Sequence, residues 1–262
     1  MNALSLFSGI GGLDLAAEWA GFKTVAFCEC DPFCQKVLAK HWPGVKIYDD
    51  VRTIDTSELP RIELLHGGYP CQPFSTAGNR RGESDEQHMW PHMLRIVREL
   101  NPRWVVGENV KGHITLGLDT VCDDLEGAGY KTRAFVLPAC AVGTPHKRER
   151  VFIVAHSDSR GWDTQPLLCP SAPEGERAAN AYGTSTIERR ENPWVVEPDL
   201  VRVVHGVPRG LDKVRVKSLG NTVVPQQAYP IFAAIAETYN VELSGGGTYD
   251  QRMWRAIKRP LE

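Results

Sequence analysis

Short apolar runs alternate with amphipathic stretches along this chain, each closed by glycine or proline, and that alternation constrains the fold more than any other feature. Ala3 to Phe7 is such a run, closed by Ser8-Gly9-Ile10-Gly11-Gly12, after which Leu13, Ala16, Ala17 and Ala20 repeat at helical spacing until Gly21. Thr24 to Cys28 reads as a second strand, Pro32 to His41 as a helix with proline at its first position, and Lys46 to Tyr48 as a third strand. The pattern continues through strands at Ile62 to Leu65, Trp104 to Gly107, Arg133 to Leu137 and Val151 to Ala155, with helices at Met89 to Leu100 and Thr115 to Ala128. Strands alternating with helices predict an α/β fold built on an open sheet, whose chemistry gathers at strand ends.

Several loops carry residues suited to chemistry. Pro70 and Pro73 bracket Cys71 and remove two backbone donors, so this cysteine belongs on a loop just past the Ile62 to Leu65 strand. A buried structural thiol is the plain alternative for it. The glycines after the first strand let backbone approach a ligand, but Asp14 stands where Gly-x-Gly-x-x-Gly needs its third glycine, and an aspartate opening the helix is expected to repel a pyrophosphate. Glu29 ends the second strand, where ribose hydroxyls are commonly held. Cys28, Cys30 and Cys34 lack a second pair at zinc-like spacing, so no metal is expected. Glu108 follows an apolar strand and must be paired or protonated to avoid a desolvation cost. Arg148 and Arg150, two apart at a strand start, are expected to point to one side, as a phosphate or carbonyl clamp or as partners for an acid such as Glu108.

In order, Phe-x-Gly-x-Gly-Gly from Phe7, Pro-Cys-Gln at Cys71, Glu108-Asn109-Val110, Arg148-Glu149-Arg150 and Gly220-Asn221-Thr222-Val223 make a set that resembles the DNA (cytosine-5) methyltransferases over nearly the whole chain. The resemblance implies a Rossmann-like fold for S-adenosylmethionine (SAM) dependent methyl transfer, with a mixed, mostly parallel sheet, helices on both faces and a small irregular recognition lobe. It implies Cys71 as nucleophile at carbon 6 of a flipped cytosine, with Glu108, Arg148 and Arg150 acting on the ring. SAM is implied to lie against Phe7, Gly9, Gly11, Gly12, Glu29, Asp50, Val51, Asn221 and Val223; a turn-forming role for Asp50 stays open, and Asp49 fits that turn equally. Gln72, Ser75, Arg80 and Arg81 are implied contacts to duplex DNA, and Arg215 and Lys217, in a basic stripe over 202–217, are further candidates. The family usually has Gln-x-Arg-x-Arg, and His146 stands in the glutamine position here.

The expected organisation is a catalytic domain over 1–156, a recognition lobe over 157–218 and a terminal segment, 219–262, whose helix from Pro225 to about Tyr239 returns to the first lobe. From His156 to about Pro198 regular patterning fails. Seven cysteines, an odd number, no signal-like opening and no run near the ~18 apolar residues of a membrane span predict a reduced, cytoplasmic, soluble protein, and a monomer is expected. Lys plus Arg is 30 against 32 for Asp plus Glu, so overall charge does not announce a nucleic-acid partner, but Arg202, Arg209, Lys213, Arg215 and Lys217 form a local basic stripe. A restriction endonuclease acting separately is a further expected partner. Two other readings are a cytosine-5 methyltransferase of tRNA and a non-catalytic SAM- or nucleic-acid-binding module. Neutralising Arg215 and Lys217 together is expected to flatten the salt dependence of duplex DNA affinity; an unchanged slope removes both from the interface.

Overall fold

The computed structural model describes residues 1–70, 89–144, 146–157 and 218–244. Its strands are β1 (Asn2–Leu6), β2 (Lys23–Cys28), β3 (Lys46–Tyr48), β4 (Leu64–Gly67), β5 (Trp104–Val110), β6 (Tyr130–Pro138) and β7 (Glu149–Ser157). Between and after them run α1 (Gly12–Trp19), α2 (Pro32–His41), α3 (Trp90–Leu100), α4 (Leu118–Gly127) and α5 (Pro225–Ser244). Local chemistry accounts for the clearest boundaries. Asp31 caps α2 by accepting from the Phe33 and Cys34 amides, with Pro32 at the first position.

All seven strands form one sheet in the order β3-β2-β1-β4-β5-β7-β6. β3, β2, β1, β4 and β5 run parallel, while β7 is antiparallel to both neighbours, so the sheet is mixed but mostly parallel. Strand order reverses between β1 and β4, and a doubly wound sheet opens its ligand crevice at such a point. Alternation along each strand divides the core into two layers. Leu4, Leu6, Leu65 and Val105 join Met93, Ile96 and Val97 of α3 and Val121 and Leu125 of α4. On the other face Ala3, Leu64, Trp104, Val106 and Phe152 meet Leu13, Ala16 and Ala17 of α1 and Phe232, Ile235 and Ala236 of α5.

Several boundaries differ from the sequence expectation, three of them with a plain physical reason. β4 lies at Leu64–Gly67 rather than Ile62 to Leu65, because pairing with β1 begins at Ala3 and Leu64 while Ile62 only packs into the core. β5 runs on through Glu108 to Val110, held by β7. The expected helix from Thr115 begins only at Leu118: Lys111–Thr115 is a 3-10 turn, and Gly117 intervenes with extended backbone, its missing Cβ leaving room for the His113 ring at 2.9 Å. The segment read as a recognition lobe lies outside the described residues except at its ends, Ser157 and Ser218.

Phe232 is fully buried between α5 and the sheet, so Phe232→Ala is expected to cost about 3–5 kcal/mol of folding stability, read as a fall in the urea midpoint at unchanged slope.

Candidate active site

The loop between β1 and α1 is shaped by three residues with positive φ, Phe7 at 54°, Gly9 at 56° and Gly11 at 86°. The glycines answer different demands. A Cβ at Gly9 would meet nothing within 4 Å, so the residue supplies conformation and leaves the space beside it open. At Gly11 a Cβ would come within 2.5 Å of the Trp42 ring, and at Gly12 it would collide with Thr222 Oγ1 and the Val223 carbonyl. Glu29, just past β2, holds this cradle to the next loop: its carboxylate accepts from the Gly9 amide at 2.6 Å and the Asp31 amide at 2.8 Å. Asp50 caps the 3-10 turn Val51–Thr53 and forms a bidentate ion pair with Arg52, which holds its carboxyl below the usual range. Val51 is a core residue, 5% exposed. Asn221 is exposed, while Val223 is buried in the layer formed by α1 and α5.

Across the crevice, Glu108 and Asn109 at the end of β5 face opposite sides of the sheet. Glu108 lies on the side of α1 and α5, beyond Val106. Arg150 pairs with Val110 in register and so stands diagonal to Glu108; its Nε lies 2.9 Å from Glu108 Oε1, an ion pair without a straight N–H···O line. Burial pushes the Glu108 carboxyl up from 4.5 to about 7, against the opposing pull of Arg150 and Arg148. Gly68 lies against the same carboxyl, since a Cβ there would sit 2.9 Å from Glu108 Oε2. Asn109 turns the other way and donates from Nδ2 to the Tyr69 carbonyl at 3.0 Å. The Tyr69 hydroxyl is 2.8 Å from His113 Nε2, and its ring packs on Trp90. The backbone leading to Cys71 is thus anchored at Gly68 and Tyr69 beside Glu108. Cys71, Gln72, Ser75, Arg80, Arg81, Arg215 and Lys217 lie outside the described residues.

Arg148 and Arg150 both pull on the Glu108 carboxyl, but only Arg150 touches it. Arg148 precedes the first residue of β7 and has φ of +28°, off the strand geometry on which the alternation argument depends. Its Nη2 donates to the Gly220 carbonyl at 2.6 Å and the Thr222 carbonyl at 2.5 Å. Gln227, buried in α5, adds bonds from Nε2 to the Leu137 and Arg148 carbonyls. The stretch before α5 is thereby held against the β7 entrance on one side and Gly12 on the other. Asp14 also departs from expectation. Its side chain is fully buried among Ser5, Thr24 and His66 and turns away from the cradle, so it does not confront a ligand there. His146 is exposed, and its carbonyl accepts from Thr144 Oγ1. Tyr69, His113, Gln227 and the polar cluster around Asp14 had no motif to announce them; only a buried neighbour makes each one legible.

The family described as C-5 cytosine-specific DNA methylase matches residues 1–195. Among curated relatives, the Type II methyltransferase M.FnuDI of Fusobacterium nucleatum is 37% identical over 59% of this chain and 46% of its own length. M.HgiCII of Herpetosiphon aurantiacus is 34% identical over 90% of this chain and 53% of its own. The chain therefore spans about half the length of these relatives. Of solved structures, a putative DNA modification methyltransferase encoded within an E. coli prophage superposes with a TM-score of 0.52 at 26% identity, covering 61% of this chain and 47% of that one. A mutant Spodoptera frugiperda DNMT2 superposes with a TM-score of 0.54 over 63% of this chain and 52% of that one; at 23% identity it shows the shared fold alone.

A carboxyl raised by burial keeps its proton in the folded state where the unfolded chain has lost it, so it favours folding at low pH and loses that contribution as pH rises from about 4.5 to about 7. Glu108→Gln is expected to remove this component of the stability profile across that window, whereas Arg150→Ala should move the Glu108 midpoint further up, both read by urea titration over pH and carboxyl NMR.

Proposed function

The chain belongs to the C-5 cytosine-specific DNA methylase family, and from that premise we propose that it transfers a methyl group from SAM to carbon 5 of cytosine in a specific duplex DNA sequence. The observation that carries the reading is the meeting of Gly68, three residues before Cys71, with a Glu108 carboxyl poised near neutrality and paired with Arg150.

The cradle suits SAM. Gly9 leaves open space beside it, Phe7 offers a ring at its edge, and Glu29 is fixed at the position where ribose hydroxyls are held in such sheets. Phe7, Gly9, Gly11, Gly12, Glu29, Asp50, Val51, Asn221 and Val223 are the proposed cofactor contacts, Gly12 and Val223 acting through their mutual packing. SAM supplies an electrophilic methyl on a sulfonium.

Carbon 5 of cytosine is a weak nucleophile until carbon 6 has been attacked. In the proposed sequence the Cys71 thiolate forms a bond to carbon 6, and the ring electron pair moves toward carbon 5 and nitrogen 3. Glu108 gives its proton to ring nitrogen 3 as that charge builds, which a carboxyl protonated near pH 7 is able to do. Arg150, beside Glu108, holds the ring carbonyl oxygen. Carbon 5 then takes the methyl and loses its hydrogen to a base, the carbon–sulfur bond breaks to restore the Cys71 thiolate, and ring nitrogen 3 returns its proton to Glu108. Arg148 belongs to this machinery as a positioning residue, since its guanidinium holds the Gly220 and Thr222 carbonyls. The target base must leave the duplex stack, which costs a few kcal/mol, and Gln72, Ser75, Arg80 and Arg81 are the proposed contacts that hold the opened strand. The Type II names of the relatives support a companion restriction endonuclease acting on the same sequence.

The test is a covalent trap. With SAM and duplex DNA carrying 5-fluorocytosine at the target, the wild-type protein should form a stable adduct, because the fluorine cannot be removed as a proton. Cys71→Ser should form none, keep SAM binding and lose turnover. Methylation by Cys71→Ser near the wild-type rate overturns the nucleophile assignment.

A further inference from the structure

Directly beneath the glycine cradle, inside the otherwise apolar layer between the sheet and helices α1 and α5, lies a buried polar chain that the reaction above does not use. Asp14 and His66 are both fully buried. Asp14 Oδ2 accepts from Ser5 Oγ at 3.0 Å, and Oδ1 accepts from Thr24 Oγ1 at 3.1 Å with His66 Nε2 at 3.6 Å. Ser5 Oγ is in turn 2.9 Å from Ser8 Oγ, which also lies within reach of the Ser5 and Cys28 carbonyls at 3.2 and 3.3 Å. Ser8 opens the cradle: its carbonyl accepts from the Gly11 amide at 3.0 Å. Ser5 and His66 are register partners on β1 and β4, so the chain joins the start of the cradle to the strand that leads to Cys71.

Proton counting shows what this arrangement can do. A hydroxyl has one proton to give. With Asp14 ionised, Ser5 commits its proton to Asp14 and accepts from Ser8. With Asp14 protonated, the carboxyl can donate to Ser5, Ser5 can donate to Ser8, and Ser8 must turn its own proton to the Ser5 or Cys28 carbonyl. The oxygen–oxygen distances allow both directions.

We propose that Asp14, with His66 beside it, is a positioning residue for the methyl-donor cradle, acting through Ser5 and Ser8 so that donor affinity is coupled to the charge on Asp14. The inference rests on the reading of the cradle as a SAM site. Burial supports the coupling by pushing the Asp14 carboxyl up to about 7 and the His66 imidazole down to about 3, so the imidazole is neutral and the carboxyl changes charge near neutrality. Among the described residues, neither ring nitrogen of His66 has a hydrogen-bond partner, and its Nε2, 3.6 Å from Asp14 Oδ1, is a neutral polar neighbour of the carboxyl. The groups acting on Asp14 are Ser5 from β1, Thr24 from β2, His66 from β4 and Glu18 from its own helix, while α5 presents the Phe232 ring to His66. Thr24 and Ser5 favour the ionised form, and Glu18 opposes it.

The sign follows from charge. SAM carries a sulfonium and an ammonium against one carboxylate, so its net charge is positive, and it binds more tightly over an ionised Asp14. Affinity should rise with pH through about 7, by about fivefold between pH 6 and 8, part of it from direct charge attraction, which Ser5→Ala leaves, and part from the Ser5–Ser8 link, which it cuts.

Calorimetric titration of SAM at pH 6 and 8 into wild-type protein and Asp14→Asn tests this, because the amino group of the donor titrates alike with both proteins and only the difference between them reports on Asp14. The expected result is the extra pH dependence in wild type and its loss in Asp14→Asn. Ser5→Ala, which leaves Thr24 on the carboxyl but cuts the link to Ser8, is expected to reduce it and covers the case in which Asp14→Asn fails to fold. Protection factors of the Gly9 to Gly12 amides without any donor, which remove the intrinsic base catalysis of exchange, give an independent readout, expected to change between pH 6 and 8 in wild type only. Identical pH dependence in all three proteins, in binding and in exchange, overturns the proposal and leaves Asp14 as a packing residue. Exchange that follows the prediction in protein that binds no SAM at either pH supports the coupling and overturns the donor reading instead.

Discussion

A Cβ at Gly67 would drive into the Leu6 carbonyl, and the parallel register sets that glycine between Leu6 and Gly107. Three strand ends can therefore close up backbone to backbone, and the first side chains to project beyond them, Phe7 and Glu108, flank a second bare position at Gly68. β1 continues into α1 on one face of the sheet, whereas the helix that follows β4, α3, packs on the other. Divergent connections at adjacent parallel strands leave a crevice that no side chain has to be removed to create. The glycine cradle and the Glu108 carboxyl owe their proximity to this close approach.

Within the crevice the balance on Glu108 decides what chemistry is available. A carboxyl in water is ionised at neutral pH and has no proton to give, while one buried without a cation stays protonated far above neutrality. Burial outweighs the opposing pull of Arg150 and Arg148 here, and that pull keeps the group at about 7. The strand period makes a second contribution. Because Glu108 and Asn109 face opposite sides, one strand end places an acid on the side of α1 and α5 and, through Asn109, holds the Tyr69 carbonyl on the other side.

The closing stretch completes the site from far along the chain. Thr222 and Val223 occupy the space left by Gly12, Arg148 grips the carbonyls of Gly220 and Thr222, and Gln227 locks α5 to the backbone of β6 and of Arg148. Contacts across so many residues carry a loop-closure cost that local propensity cannot meet, and the apolar layer around Phe232 and Ile235 is what offsets it.

How much of this was legible beforehand varied with the range of the physics involved. α2 and β3 could be read to the residue, because Asp31, Pro32 and the short Lys46 to Tyr48 run carry their own start and stop signals. The α/β class, the ordered motifs and Glu108 at a strand end were equally present in the one-dimensional pattern, since periodicity and glycine spacing are local properties. The pairing of Arg148 was not, because one left-handed φ before β7 breaks the alternation used to orient it. Nor was the burial of Asp14, whose position in the first turn of α1 is compatible with facing a ligand or the sheet until Ser5, Thr24 and His66 are brought against it. The sequence by itself determined which elements form and which reactive groups sit at their ends. Only the tertiary structure decided which way those groups turn and what charge they carry, because side-chain direction and desolvation depend on neighbours distant in the chain.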